Sequence, residues 1–143
     1  MTVQVAIISK HENFCFAAQY ARGASPQEID PMTQLYFYSL LDELYIKIAH
    51  QQEAEAQDYF FPNFSTNAQF RVSVFQTFSG HFVFLSVAEE LQVLEEQLKL
   101  LMFQIHKIYA AELLNPFYVD GAPVANEQLL SDVQTAVNQF VFK

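Results

Sequence analysis

The chain has 143 residues, a length that suits one compact domain, and we predict a single domain over residues 1–143. Its net charge is −9 with only seven lysines and arginines, too few for the basic stripe that nucleic-acid binding requires. Cys15 is the only cysteine, which excludes an internal disulfide or a multi-cysteine zinc site and fits a reducing compartment. No apolar run is long enough to cross a bilayer, so we expect a cytoplasmic protein without membrane insertion.

The first elements are predicted to be a β-hairpin and a long helix. Apolar runs at residues 3–9 and 14–20 flank a four-residue turn, the pattern of two paired strands. Asp30 followed by Pro31 marks a helix start, because Asp caps free amides and Pro fits the first helical position. We expect this helix to end at about residue 54.

The apolar residues of this helix form two stripes, so the helix is buried on two faces, or buried on one and docked to a partner on the other. The first stripe contains Phe37, Leu41, Leu44 and Ile48. One sheet cannot cover both stripes, so we expect the second to stay exposed with Asp42 at its margin. Aromatic side chains around one charge are typical of an interface centre. The candidate interaction residues are therefore Leu35, Tyr38, Asp42, Tyr45 and Ala49.

Three strands are predicted next. A short strand over residues 58–61 is expected to stop at Pro62, which favours a sheet edge, with a loop over residues 63–67. Residues 68–77 alternate between apolar and polar side chains, and residues 82–87 are apolar on both faces, as in a central strand. His81, beside a predicted hairpin turn, is expected to be exposed.

Two helices complete the predicted order β-β-α-β-β-β-α-α. Glu89 and Glu90 are expected to open the second helix, because carboxylates in the first turn suit the helix dipole. Its inward stripe is predicted to be Leu91, Leu94, Leu98, Leu101, Ile105 and Ile108, with Leu100 and Phe103 off that stripe. The last helix is predicted over residues 126–142, with a stripe of Leu129, Val133, Val137 and Phe140.

The segment Asn115-Pro116-Phe117-Tyr118 has two interpretations. Asn tolerates the left-handed backbone that closes a helix and Pro cannot continue one, so the segment reads as a stop with Phe117 or Tyr118 packed on the domain. The same letters form N-P-x-Y and N-P-F, which adaptor domains read in exposed peptides. We favour the structural stop, because a four-residue match is common by chance.

Catalytic or metal-binding groupings are absent from the sequence pattern. The four histidines lie on different predicted elements and form no helical pair of metal ligands, and three glycines cannot build a phosphate loop or a nucleophile elbow. Asp42 and Glu43 point about 100° apart on a helix, so they do not form an acid/base pair. Cys15 reads as a small buried side chain. We therefore predict no enzyme activity, no metal and no cofactor.

The chain resembles the sedlin family of subunits of the TRAPP vesicle-tethering complex over essentially its full length. The resemblance rests on the opening hairpin from Val3 to Lys10, on Ser39-Leu40-Leu41-Asp42-Glu43, and on Asn115-Pro116-Phe117-Tyr118 before a final helix. Tyr59-Phe60-Phe61-Pro62 is closer to the sedlin-like (subunit 2-like) branch of the family.

This resemblance implies an α/β longin fold, in which a five-stranded antiparallel sheet lies between one helix and a helix pair. It implies a non-enzymatic role in ER-to-Golgi and Golgi traffic, in a hetero-oligomer with other small TRAPP subunits. Asp42 is similar to a conspicuous first-helix aspartate of the family. Two other readings stay open: a different longin-type partner-binding protein such as a small adaptor subunit, or a small-molecule binder with a pocket between the first helix and the sheet.

Overall fold

The computed structural model describes residues 2–9, 12–53, 60–66, 70–77, 81–114 and 127–142, with the backbone alone at residues 50–53, 62–63 and 113. Within these ranges the elements follow the predicted order of strands and helices. Their bounds are β1 Thr2–Ile8, β2 Phe14–Ala21, α1 Pro31–Glu53, β3 Phe60–Thr66, β4 Phe70–Gln76, β5 Phe82–Ala88, α2 Glu95–Leu113 and α3 Glu127–Phe140.

The strands form one antiparallel sheet in the order β2-β1-β5-β4-β3. The β1–β2 hairpin opens the chain as predicted, and β1 also pairs with β5, with Val5 opposite Leu85. All seven residues of β5 are buried. The outer edge of β2 is partly covered, because Gln19 exchanges two backbone hydrogen bonds with Gln27 at 2.7 and 2.9 Å.

Alternate residues of the central strands supply two separate cores. One core, on the α1 side, joins Ala6 of β1 and Phe84 of β5 to Phe37, Leu41 and other residues of α1. The opposite core lies under α2 and α3 and is built from Val5, Leu85 and their same-side neighbours. The predicted longin-like arrangement is confirmed: one helix covers one face of the sheet and two helices cover the other.

Helix α1 begins as the sequence predicts. The Asp30 Oδ1 atom accepts a hydrogen bond from the Met32 amide at 3.0 Å, and Pro31 is the first helical residue. The Tyr36 hydroxyl on the helix and the Ser65 hydroxyl on β3 share a hydrogen bond, which connects α1 to the β3 edge of the sheet.

The prediction that the third strand stops at Pro62 is wrong. β3 continues to Thr66, and its pairing with β4 shifts register between Phe61 and Ser65. A bulge at an edge strand accommodates a proline, because the missing amide then costs no bond within the sheet. The predicted edge position of this strand is confirmed, since β3 pairs only with β4 in the sheet order.

The predicted start of the second helix at Glu89 is also wrong, because α2 begins at Glu95. Residues 89–90 instead form a turn after β5, where Arg71 of β4 donates to the Leu91 carbonyl at 2.8 Å and lies 3.9 Å from the Glu89 carboxylate. Leu91 and Leu94 thus precede the helix, and Leu94 is 70% exposed. The Gln97 side chain accepts a hydrogen bond from the Leu94 amide at 3.4 Å, so Gln97 caps the helix start.

His81 is buried, contrary to the prediction that it is exposed. Its amide donates to Thr77 Oγ1 at 3.1 Å, and its ring centroid lies 5.7 Å from that of Tyr109 on α2. The side chain is covered because it sits at the start of the central strand, beneath that helix.

Tyr20 joins β2 to α3 within the second core. Its ring is 1% exposed, and its hydroxyl donates to the Leu130 carbonyl at 3.2 Å. Burial raises the pKa of this phenol well above its ordinary value, because the ionised form would lose its hydration.

We expect Leu44→Ala to destabilise the protein by about 2–5 kcal/mol, because Leu44 fills the layer between α1 and the sheet and its removal leaves a cavity. The matched control is Leu35→Ala on the exposed side of the same helix, which should change stability by less than about 0.5 kcal/mol. Urea unfolding measures both changes. Equal effects would contradict the assignment of the two helix faces.

We expect stability to fall above pH ~10, because the unfolded chain then releases the Tyr20 proton while the folded chain retains it. Tyr20→Phe should lose about 1 kcal/mol at neutral pH through the missing hydrogen bond. The variant should also show a shallower alkaline decline, by up to about 1.4 kcal/mol per pH unit. Urea unfolding at several pH values between neutral and alkaline measures both effects, and an unchanged alkaline slope would contradict this role for Tyr20.

Candidate functional site

The outer face of α1 carries the predicted interaction residues, all of them exposed. Leu35 is 62% exposed, and Tyr38 and Tyr45 are 37% and 38% exposed, while Asp42 and Ala49 also face solvent. The opposite face of the same helix buries Phe37, Leu40, Leu41 and Leu44. The predicted exposure of the second stripe is therefore confirmed, and its role in binding stays a prediction.

Two further residues belong to this face. Met32 is 71% exposed and Ile46 is 61% exposed. The sequence could have placed both residues on this face, because their spacing from the predicted residues is helical. One side of the helix carries Met32, Leu35, Asp42, Ile46 and Ala49. We call the set the α1 surface; it consists of Met32, Leu35, Tyr38, Asp42, Tyr45, Ile46 and Ala49.

Asp42 lies inside the α1 surface rather than at its margin. It follows Tyr38 by four residues and precedes Tyr45 by three and Ile46 by four, the spacings at which helical side chains are neighbours. Within the described residues no salt bridge engages Asp42. Its charge is therefore available to a donor on a partner.

The two tyrosines of the α1 surface are held by aromatic contacts with the sheet. Tyr38 meets Phe14 of β2 edge-on, with ring centroids 4.7 Å apart, and Tyr45 meets Phe82 of β5 in the same way at 5.7 Å. Edge-on ring pairs stabilise such positions by about 0.5–1.5 kcal/mol beyond area burial. The rings are thus fixed before a partner arrives, which lowers the entropy lost on binding.

Tyr45 also contacts the hairpin turn. Glu12, whose φ of 67° turns the chain between β1 and β2, accepts a hydrogen bond from the Tyr45 hydroxyl. Partial burial, the Glu12 charge and this hydrogen bond, and the Asp42 charge all raise the pKa of Tyr45. The phenol therefore stays protonated at neutral pH and remains a donor.

The charges on and around the α1 surface are mostly acidic. Glu12, Asp42 and Glu43 lie on or beside it, and Glu43 is exposed. Lys47 projects from the other flank of the helix, where its ammonium group lies 5.5 and 5.2 Å from the ring centroids of Phe61 and Phe64. The surface thus favours a partner with basic side chains among apolar ones.

The described cysteine and histidine side chains that could serve in catalysis or metal binding lie in different segments of the fold. Cys15 is buried, as predicted, with its thiol 3.8 Å from the Asn13 carbonyl. His106 is half-buried on α2, and burial lowers its pKa. Among the described residues no three His, Cys, Asp or Glu side chains are placed to hold a metal ion. His11 lies outside the described residues, and only the backbone of His50 is described.

Helix α2 ends at Leu113, directly before the predicted stop. Leu114 is the last described residue there; it is helical in backbone and 84% exposed. Asn115, Pro116, Phe117 and Tyr118 lie outside the described residues, so the choice between a packed stop and an exposed peptide stays a prediction. In the part of the chain that the structure describes, no helix has the length and apolar character of a membrane span.

An antiparallel five-stranded sheet between one helix and a helix pair, with apolar side chains left on an outer helix face, defines a longin-like domain. A family model described as Sedlin matches residues 7–139, and the chain belongs to the sedlin family. Members of this family are trafficking subunits of the TRAPP complex. The comparison with curated proteins gives no significant match.

We expect Glu12→Gln to lower the pKa of Tyr45 towards its ordinary value, because the variant removes a nearby negative charge. NMR titration of labelled tyrosines measures the shift, with Tyr45→Phe to assign the signal. Asp42→Asn should lower the same pKa by a smaller amount, since its effect is the last of the causes. A Tyr45 pKa indifferent to Glu12 would show that the turn does not contact this helix.

Proposed function

We propose that the chain is a non-enzymatic subunit of a TRAPP-type vesicle-tethering complex that acts in ER-to-Golgi and Golgi traffic through protein contacts. The observation that carries this proposal is the α1 surface: a chain of the sedlin family leaves an ordered apolar helix face in solvent. That face does not contribute to the core, because the opposite side of the helix covers the sheet. An exposed apolar patch of this kind marks an interaction site.

The partners are other small TRAPP subunits, bound in a hetero-oligomer. The protein acts in the cytoplasm and reaches Golgi and ER–Golgi membranes through the complex, since a net charge of −9 opposes direct adsorption to anionic lipid. It takes no cofactor. Within the family, the residues from Tyr59 to Pro62 favour the sedlin-like branch.

The packing between α1 and the sheet supports protein binding over small-molecule binding. A ligand pocket at that position would need an open space with converging polar groups. Phe37 instead stacks on Phe84 with ring centroids 5.4 Å apart, and Leu41 and Leu44 are buried beside them. Apolar side chains fill the layer that such a ligand would occupy.

The expected contact centres on Asp42. A partner that covers the α1 surface removes water from this carboxylate, so the partner must offer a hydrogen-bond donor, and a basic side chain fits the acidic surroundings. The most exposed apolar side chains of the surface then supply most of the contact area, and Tyr38 and Tyr45 add fixed aromatic rings, which lose little entropy on binding.

We expect Asp42→Leu to reduce binding to the neighbouring TRAPP subunits by about 2–5 kcal/mol where the carboxylate meets a buried donor. Asp42→Asn keeps the shape and removes the charge, so it should lose a large part of the same affinity. Pull-down with the other small TRAPP subunits measures binding, and thermal melting measures folding, which both variants should retain because Asp42 is exposed.

Glu127→Leu is the matched control, because it removes an exposed carboxylate from α3, which covers the opposite face of the sheet. It should leave binding nearly intact. A melting loss in Asp42→Leu would make Asp42 a structural residue. Unchanged binding with unchanged stability would place the interface elsewhere on the chain.

A further inference from the structure

A second exposed apolar patch lies on α2, across the sheet from the α1 surface. Leu100 is 56% exposed and Phe103 is 39% exposed, while Leu101 and Ile105 on the inner side of the helix are buried. The Phe103 ring lies 5.0 Å from that of Phe75 on β4, edge-on, so the strand fixes its position. Leu100 and Phe103 are three residues apart and therefore adjacent on the helix surface.

Opposite charges flank this apolar pair along the helix. Glu96 lies four residues before Leu100, and Lys107 lies four residues after Phe103; both are exposed. These spacings keep the four side chains on one face of α2. We call Glu96, Leu100, Phe103 and Lys107 the α2 stripe. Along the helix the stripe consists of an acidic, two apolar and a basic side chain, so it is complementary to the same stripe of a second copy that runs in the opposite direction.

We propose that the α2 stripe is the docking site for a second copy of this chain, with the two α2 helices antiparallel about a two-fold axis. A two-fold contact brings the same patch together from both copies. When Leu100 lies opposite Phe103 of the second copy, the uniform rise along both helices puts Glu96 level with Lys107 of the second copy. The axis repeats this pairing, which gives two ion pairs around an apolar centre.

The distribution of charge favours self-association at this face. The chain as a whole is acidic, at −9, so two copies repel each other over most of their surfaces. Over residues 95–107, which include the whole α2 stripe, the formal charges balance, because Glu95 and Glu96 are matched by Lys99 and Lys107. Two copies can meet there without net repulsion.

The α1 surface is a poor site for the same contact. Asp42 lies at its centre with Glu12 and Glu43 nearby, so a second copy would place carboxylates against carboxylates. Docking through α2 leaves both α1 surfaces free on the outside of the pair, because the two helices cover opposite faces of the sheet. Self-association thus goes beyond the proposed function and does not compete with it.

The contact is expected to be weak. From Glu96 to Lys107 the stripe spans about three helical turns, so its area falls in the range of transient interfaces, below about 1,200 Å². Sedimentation equilibrium of the isolated full chain should show a mass that rises with concentration from 16.5 kDa towards twice that value.

Charge reversal tests the pairing. Lys107→Glu and Glu96→Lys should each weaken self-association by about tenfold or more, because each puts like charges together at both ends of the contact. The combined variant Glu96→Lys/Lys107→Glu should restore association to near the wild-type level. Asp42→Asn on the α1 surface is the control and should leave association unchanged, and thermal melting checks that every variant is folded.

A chain that stays monomeric up to about 0.5 mM would overturn the proposal, as would a dimer that neither charge reversal weakens. Failure of the combined variant to recover would show that Glu96 and Lys107 do not face each other. A monomeric chain whose Lys107→Glu variant loses a TRAPP subunit in pull-down would assign the α2 stripe to a different partner.

Discussion

Burial of the central strand on both of its faces is the constraint on which the rest of the structure depends. All seven residues of β5 are buried, and its neighbour β1 is buried on both sides from Val3 to Ile8. A sheet with two apolar faces has to be covered on both, because each exposed strand face would leave several large side chains in water. Helix α1 covers one face, and α2 with α3 covers the other.

The same constraint determines where binding surfaces can lie. Once the inner sides of the helices pack on the sheet, most of the large apolar side chains that stay exposed among the described residues lie on the outer sides of α1 and α2. Contacts with the sheet also hold these outer side chains in place, because the Tyr38 ring packs against Phe14 and the Phe103 ring packs against Phe75. An ordered scaffold therefore presents fixed apolar side chains, which suits assembly because little conformational entropy is lost on docking.

Charge distinguishes the two outer faces. The α1 surface holds Asp42 among aromatic rings with further carboxylates nearby, which favours a basic partner of a different sequence. The α2 stripe has an acid at one end and a base at the other, and this order makes it complementary to itself. The low charge content of the chain, 16%, makes each of these few groups more decisive for partner choice.

The sequence by itself determined the order of the elements, the capped start of α1, the central place of β5 and the two stripes of α1. Each of these depends on a local periodicity or on a capping residue such as Asp30, which acts on its near neighbours. Tertiary structure decided the features that depend on distant residues. Arg71 of β4 binds the turn after β5, and α2 begins after that turn, later than predicted. Pairing with β4 extends β3 beyond Pro62. Tyr109 of α2 covers His81. The packing of α1 on the sheet decides which of its two stripes faces water, and it leaves Asp42 at the centre of the exposed stripe. Tertiary structure decides these outcomes, because burial is a property of the packed layers and not of any one segment.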